Sequence, residues 1–166
     1  MKDSQRGVTG LALTLIEEYA HDLRRALTIN QLAKACGKPY PNVHAAVKTL
    51  LADGILTKEI VGHAHNCRLD LANPRTAIYL AIAQSRKPRA PLPQGADGAI
   101  LVWKRDTDCL LVTPAPAPAA PGTHAITLDA FLADKELFAT IGKHTLLKGH
   151  GTYASILETH AREALR

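Results

Sequence analysis

Residues 38–50 combine apolar and polar side chains in a pattern typical of a helix with one outer face. Val43, Val47 and Leu50 recur at helical spacing, and we expect them to face a core. The side chains on the outer face of this helix are of types that contact nucleic acid. Asparagine can read adenine through two hydrogen bonds, and lysine can reach guanine or phosphate. The N-terminus of a helix also attracts phosphate. These outer candidates are Lys38, Tyr40, Asn42, His44, Ala45 and Lys48.

A second group of candidates lies on a predicted β-hairpin that follows this helix. Residues 55–60 and 66–71 are predicted to be paired strands joined by a turn at 61–64. Arg68, at or near the tip, is the preferred candidate for a contact with DNA. A solvated strand charge is the alternative for Arg68. The candidates are Lys58 on the first strand and His63, His65 and Arg68 at or near the tip.

The pattern His63-x-His65-x-Cys67 also places three metal-ligating residue types at alternate strand positions, which share one face. Zinc accepts histidine and cysteine, but a structural zinc site takes four ligands, and no fourth ligand stands at a standard spacing. Turn histidines beside an unrelated cysteine are the simpler explanation. We therefore expect no metal and no cofactor.

Caps and periodicity predict the elements that position these residues. A helix is predicted over residues 8–26. Thr28 stands three residues before Gln31, a capping-box pattern that opens a short helix ending at Gly37. The further predicted elements are the helix over 41–53, the hairpin, and a helix that begins at Asn73-Pro74.

This order of elements, centred on residues 27–56, resembles the winged helix-turn-helix regulators of archaea and bacteria. The resemblance covers roughly residues 8–85. It implies that helix 41–53 enters the major groove of DNA and that the wing at 61–68 follows the backbone or the minor groove. It also implies a homodimer in which two winged helices contact one duplex.

The second half is predicted to be a small α/β domain. Strands are predicted over residues 98–103, 108–113, 125–128 and 143–149, and helices over 129–137 and 153–165. The segment Asp106-Thr107-Asp108 and residues 141–153 resemble the minimal nucleotidyltransferase fold. The glycine-serine turn and third carboxylate of that family are missing here, so the domain is expected to be degenerate and to serve dimerisation or ligand or partner binding. Asp106 and Asp108 are then predicted to be turn residues.

Charge is divided unevenly between the two halves. The 166-residue chain has a net charge of +5, and residues 1–90 carry 13 basic and 7 acidic residues. Residues 91–166 carry 7 basic and 8 acidic residues. A basic first half is typical of a surface that faces a polyanion. The predicted domains are 1–87 (winged helix), 88–96 (proline-rich linker) and 97–166 (small α/β domain), which together give an α+β fold class.

Composition narrows the class of protein further. Hydrophobic residues make up 46% of the chain, which favours folded cores over disorder. No apolar run approaches membrane-spanning length, and the first residues do not resemble a signal peptide. Cys36, Cys67 and Cys109 are widely spaced, as expected for reduced thiols. These features predict a cytoplasmic, nucleoid-associated protein without membrane contact.

Three functional hypotheses follow. The first is a dimeric transcriptional regulator that binds double-stranded DNA. The second is a chromatin protein that binds DNA with little sequence preference. The third is a nucleotidyltransferase or antitoxin-like protein that uses Asp106 and Asp108. No phosphate loop, nucleophile elbow or zinc-protease motif occurs, so we predict no catalytic residue and no enzyme activity.

Overall fold

Two small β-sheets and seven α-helices make up the described part of the chain, a mixed α+β fold as predicted. The structure is a computed structural model that describes residues 9–61, 64–88 and 90–165. In chain order the elements are α1 (Gly10–Ala20), β1 (Ala26–Thr28), α2 (Ile29–Cys36), α3 (Tyr40–Ala52), β2 (Leu56–Val61), β3 (Ala64–Leu69), α4 (Pro74–Ser85), β4 (Leu101–Arg105), β5 (Asp108–Thr113), β6 (Thr123–Thr127), α5 (Leu128–Ala133), α6 (Lys135–Thr140), β7 (Thr145–Lys148) and α7 (His150–Ala164). None of the helices in these ranges is long and apolar enough to cross a membrane.

Local sequence explains where the helices around the hairpin begin and end. Thr28 Oγ1 accepts a hydrogen bond from Gln31 N (3.2 Å), and Gln31 Oε1 accepts one from Thr28 N (2.8 Å). This capping box starts α2 as predicted, and Gly37, with φ of 60°, ends it in the left-handed conformation that glycine adopts without strain. Asn73 starts α4, since its Oδ1 accepts a hydrogen bond from Arg75 N (3.0 Å).

The first sheet, with strand order β1-β3-β2, contains one strand that the sequence pattern did not predict. The helix expected over 8–26 ends at Ala20, and the Asp22 carboxylate accepts a hydrogen bond from Arg24 N (3.0 Å), which stabilises a turn. The chain then forms β1, which pairs antiparallel with β3. The hairpin is therefore anchored beside the start of α2.

The second sheet has the order β6-β5-β4-β7, and its β5–β6 pair is parallel. A parallel pair needs a crossover connection, which the proline-rich chain between β5 and β6 supplies. The helix predicted over 129–137 is two helices, because Asp134 ends α5 and its Oδ1 caps α6 by accepting a hydrogen bond from Leu137 N (2.9 Å). The strand predicted over 98–103 is displaced toward the C-terminus, since β4 begins at Leu101 and continues to Arg105.

The two halves of the chain share one buried core. Its fully buried members include Leu15, Leu80, Phe138 and Tyr153. Polar groups also join the halves: Gln84 Nε2 donates to the Gly142 carbonyl (2.6 Å), and Lys87 Nζ donates to the same oxygen (2.8 Å). Burial lowers the pKa of Lys87. The boundary at 88–96 stays a prediction, but the segments on either side of it are in direct contact.

Two buried tyrosines give a matched test of this core. The Tyr19 hydroxyl donates to the Cys67 carbonyl (2.8 Å), whereas the Tyr153 hydroxyl has no hydrogen-bond partner among the described residues. We expect Tyr19→Phe to lower the free energy of unfolding by about 1–2 kcal/mol, because it removes a buried hydrogen bond. Tyr153→Phe should leave it unchanged or raise it by about 1 kcal/mol, since it removes an unsatisfied polar group. Urea denaturation measures both, and equal losses in the two variants would contradict the prediction.

Candidate nucleic-acid interface

Helix α3 presents the outer face that the sequence predicts. Val43, Val47 and Leu50 are buried, with exposed fractions of 1% or less. Pro41 lies in the first turn, and Pro39 before it offers no side-chain cap, so the positive end of the helix is left uncapped. All of the predicted site residues at and before α3 are exposed, namely Lys38, Tyr40, Asn42, His44, Ala45 and Lys48.

The charged residues of the chain leading into and through α3 are all basic. From residue 23 to residue 52 the chain contains five lysines and arginines and no aspartate or glutamate. Three of these residues, Lys34, Lys38 and Lys48, lie on α2, on α3 or in the connection between them. Arg24 precedes β1 and is paired with the carboxylates of Asp22 and Glu136. A polyanion is the ligand class that such a surface attracts.

A groove lies between α3 and the hairpin. It consists of two adjoining depressions of about 310 and 420 Å³, which share Ile29, His44 and Lys58 in their linings. We call it the α3–hairpin groove. Predicted site residues that line it are Tyr40, His44, Lys48, Lys58 and His65. The structure therefore brings together side chains from the two groups of candidates, and no carboxylate is among the described residues lining the groove.

Strand register decides which hairpin residues face this groove. Lys58 pairs with Cys67 and Ile60 pairs with His65, so these residues share one face of the sheet. Cys67 is buried on that face, and Ile60 is 71% exposed. Lys58 and His65 thus line the hairpin side of the groove, and Ile60 lies on the same face of the sheet outside that lining.

Arg68 does not lie where the sequence predicts. It pairs with Thr57, whereas the pair that closes the hairpin is Val61 and Ala64, so Arg68 is near the base of β3 and not at the tip. Arg68 follows Cys67 directly in β3, so the two side chains lie on opposite faces of the sheet and Arg68 faces away from the groove. There its guanidinium forms an ion pair with Glu59 (3.5 Å). The expected position near the tip is wrong because β3 begins at Ala64, two residues before the predicted strand, so that Arg68 is its fifth residue.

Two further candidates lie on the other side of α3. Asn42 and Ala45 line an open cavity of about 540 Å³, together with residues of α1 and Tyr79 of α4. They are exposed, as expected, but they do not line the α3–hairpin groove. Lys38 lies in the connection between α2 and α3. The outer face of α3 therefore borders two separate depressions.

The aromatic part of the groove is a stacked pair. The rings of Tyr40 and His44 lie 5.9 Å apart, with an angle of 22° between their planes. Tyr40 is 48% exposed, which is high for so large a side chain. The pair presents a flat, polar-edged surface at the N-terminal end of α3, where aromatic contact with a sugar or base is possible.

His63 lies outside the described residues, so the structure does not describe the full His63-x-His65-x-Cys67 pattern. Cys67 is 1% exposed, and burial raises the pKa of its thiol. Among the residues that are described, no group of three or more His, Cys, Asp and Glu side chains is arranged to hold a metal ion.

The carboxylates of the second half occupy a hairpin turn. Asp106 lies in the β4–β5 turn, with φ of 49°, a conformation that aspartate tolerates better than most residues. Asp108 begins β5 and forms an exposed contact with His124 Nε2 (3.5 Å). The turn position of Asp106 agrees with the prediction, while Asp108 is a strand residue.

Sequence reasoning missed two neighbours of the groove. The first is Ile60, an exposed apolar side chain on the same face of the sheet as Lys58 and His65. The second is Asn30, in the first turn of α2. The available signal for Ile60 was its position two residues after Lys58, which places both side chains on one face of a strand. Asn30 could be found only from the pairing of β1 with β3, which brings α2 to the hairpin.

No family model, curated protein or solved structure matches this chain. The functional inference therefore depends on the groove and its side chains.

Proposed function

We propose that this protein binds double-stranded DNA through the α3–hairpin groove. The observation that carries the proposal is the convergence of Lys48 and Lys58 with His44 and His65 in one groove that no described carboxylate lines. Lysines that face one groove can neutralise phosphates of the same backbone segment, and phosphate contacts supply most of the affinity of a DNA-binding protein.

We further propose that the first half is a winged helix-turn-helix. The order α1, β1, α2, α3, β2, β3 supports this arrangement, as do the turn at Gly37 and the three-stranded sheet that ends in the hairpin. In this proposal α3 is the recognition helix and the hairpin is the wing.

The groove suggests how each element contacts the duplex. The N-terminal half of α3 enters the major groove, where Tyr40, His44 and Lys48 reach base edges and phosphates. Lys58, on strand β2 of the hairpin, contacts the backbone segment that separates the two grooves. The protruding Ile60 and His65 then approach the minor groove, where apolar side chains are used to press against base steps.

The biological role that we propose is that of a dimeric transcriptional regulator in the cytoplasm. The apolar faces of α1 and α7 are buried within the chain, as Tyr19 and Leu157 show. Exposed apolar side chains occur instead on α4, where Ile78 is 53% and Ile82 is 40% exposed. The outer face of α4 is thus our candidate for a contact between two copies.

One observation favours the second hypothesis, a chromatin protein with little sequence preference. The exposed positions of α3 include Ala45 and, at the end of the helix, Ala52, which read few base edges. The protruding Ile60 suits a wedge that bends DNA. A map of DNA occupancy across a genome separates the two roles: discrete peaks support a regulator, and continuous coverage supports a chromatin protein.

The salt dependence of binding tests the proposal itself. Fluorescence anisotropy with a labelled duplex should show that the logarithm of the association constant falls linearly with the logarithm of KCl concentration. The slope should be about −3, since the candidate residues Lys38, Lys48 and Lys58 provide about three phosphate contacts. A duplex that does not bind at low salt, or binding that ignores salt, would overturn the proposal.

A further inference from the structure

The largest open cavity described above lies on the side of α3 that faces away from the hairpin. Its volume is about 540 Å³, and it is bounded by the start of α1, the length of α3 and Tyr79 of α4. Small side chains leave this space free, namely Ala12, Ala45, Ala46 and Thr49. A volume of several hundred Å³ with mainly apolar walls is typical of a site for a small organic molecule.

The charge of the cavity is the reverse of the charge of the protein. The chain has a net charge of +5, yet no lysine, arginine or histidine is among the described residues that line this space. Asp53 lines it, and its carboxylate forms no hydrogen bond or ion pair with the rest of the described residues. The described part of the walls therefore offers one negative charge and no positive charge.

The position of Asp53 defines one end of the cavity. Asp53 is the C-cap of α3, where the negative end of the helix dipole adds to its carboxylate. Asn42 lies in the first turn of the same helix, about 16 Å away along the axis at 1.5 Å per residue. An elongated molecule in this space would thus have its positive group at Asp53 and its apolar body beside Leu11, Ala46 and Tyr79.

We infer that this cavity binds a small amphipathic cation, an organic amine whose ammonium group pairs with Asp53 and whose apolar body lies between α1, α3 and α4. Charge complementarity excludes an anionic ligand, because Asp53 would repel it and no described side chain of the lining would neutralise it. Binding in the cavity is independent of the proposed function. An effect of the amine on DNA binding, through Asn42 and Ala45 on the exposed face of α3, rests on the proposed function.

Three pyrene probes that differ in charge test the inference on the full chain without DNA. The probes are 1-pyrenylmethylammonium, 1-pyrenylmethanol and 1-pyrenecarboxylate, and binding is followed by pyrene fluorescence anisotropy. We expect the ammonium probe to bind most tightly and the carboxylate most weakly. Asp53→Asn should weaken the ammonium probe about tenfold and leave the alcohol unchanged, because one charge-assisted contact is lost. Ala46→Phe fills the cavity and should abolish binding of both.

Matched variants keep this experiment decisive. Asp129→Asn removes the same charge at an exposed position on α5 and should leave the affinity for every probe unchanged. Circular dichroism melting confirms that each variant is folded. The inference is overturned if the carboxylate probe binds as tightly as the ammonium probe, or if Asp53→Asn has no effect. Two other occupants of the cavity would also overturn it. If a probe binds only after deletion of residues 2–8, the occupant is the start of the chain itself. If Ala46→Phe changes a dimer into a monomer and does not change the binding of the probes, the occupant is a second copy of the protein.

Discussion

Simultaneous replacement of Lys48 and Lys58 by glutamate is expected to weaken the binding of duplex DNA by about a hundredfold or more. Both side chains line the α3–hairpin groove, one from the helix and one from the hairpin. Each reversal removes a contact with phosphate and adds a repulsion, and a tenfold loss corresponds to about 1.4 kcal/mol for each position. Fluorescence anisotropy at one fixed low salt concentration gives the affinities of the parent and variant proteins.

Two control variants separate the groove from net charge. Lys135→Glu makes the same charge change at an exposed position on α6, and Arg68→Gln removes a charge from the opposite face of the hairpin sheet. We expect each to change the affinity by less than about threefold, since neither residue faces the groove. If Lys135→Glu alone weakens binding as much as a single groove reversal, binding depends on overall charge and the assigned interface is wrong.

Gly142→Ala is expected to lower the free energy of unfolding by about 3 kcal/mol or more. The added methyl group clashes with backbone atoms, which cannot move aside as the end of a flexible side chain can. A Cβ atom at Gly142 would overlap the backbone carbonyl oxygen of Ala20, at the end of α1. The opposite side of this glycine is also held, because its carbonyl accepts hydrogen bonds from Gln84 and Lys87. Chemical denaturation followed by circular dichroism measures the loss.

Gly151→Ala is the matched control for that substitution. Gly151 lies in the first turns of α7, and a Cβ atom there meets open space. The same change should therefore stabilise the protein, by about 0.5–1 kcal/mol, because alanine is the better helix former. Equal stabilities of Gly142→Ala and the parent protein would show that the two halves do not meet closely at Ala20.

The sequence predicts those parts of the fold that local chemistry determines. The capping box of Thr28 and Gln31, the turn at Gly37 and the cap at Asn73 each depend on residues within a few positions of one another. β1 was not predictable in this way. It is only three residues long, too short for a period of two to emerge, and it exists because β3 offers a free edge.

The same distinction applies to the candidate site. The exposed face of α3 follows from the buried positions of Val43, Val47 and Leu50, and it was predicted correctly. The place of Arg68 depends on the register of β2 and β3. That register is known only when the paired residues, such as Thr57 and Arg68, are identified. Likewise, the separation of Asn42 from His44 depends on α1 and α4, which are distant in sequence from α3.

The contacts of Gly142 with Ala20, Gln84 and Lys87 have a consequence for genetics. Residues of both halves belong to one buried cluster. A destabilising substitution in the second half therefore lowers the amount of folded protein, including its first half. A screen for loss of activity would then recover substitutions at Phe138 or Gly142 as readily as at Lys48. Such alleles are distinguishable by abundance: substitutions at the groove leave the protein at its normal level in the cell, and substitutions at the junction do not.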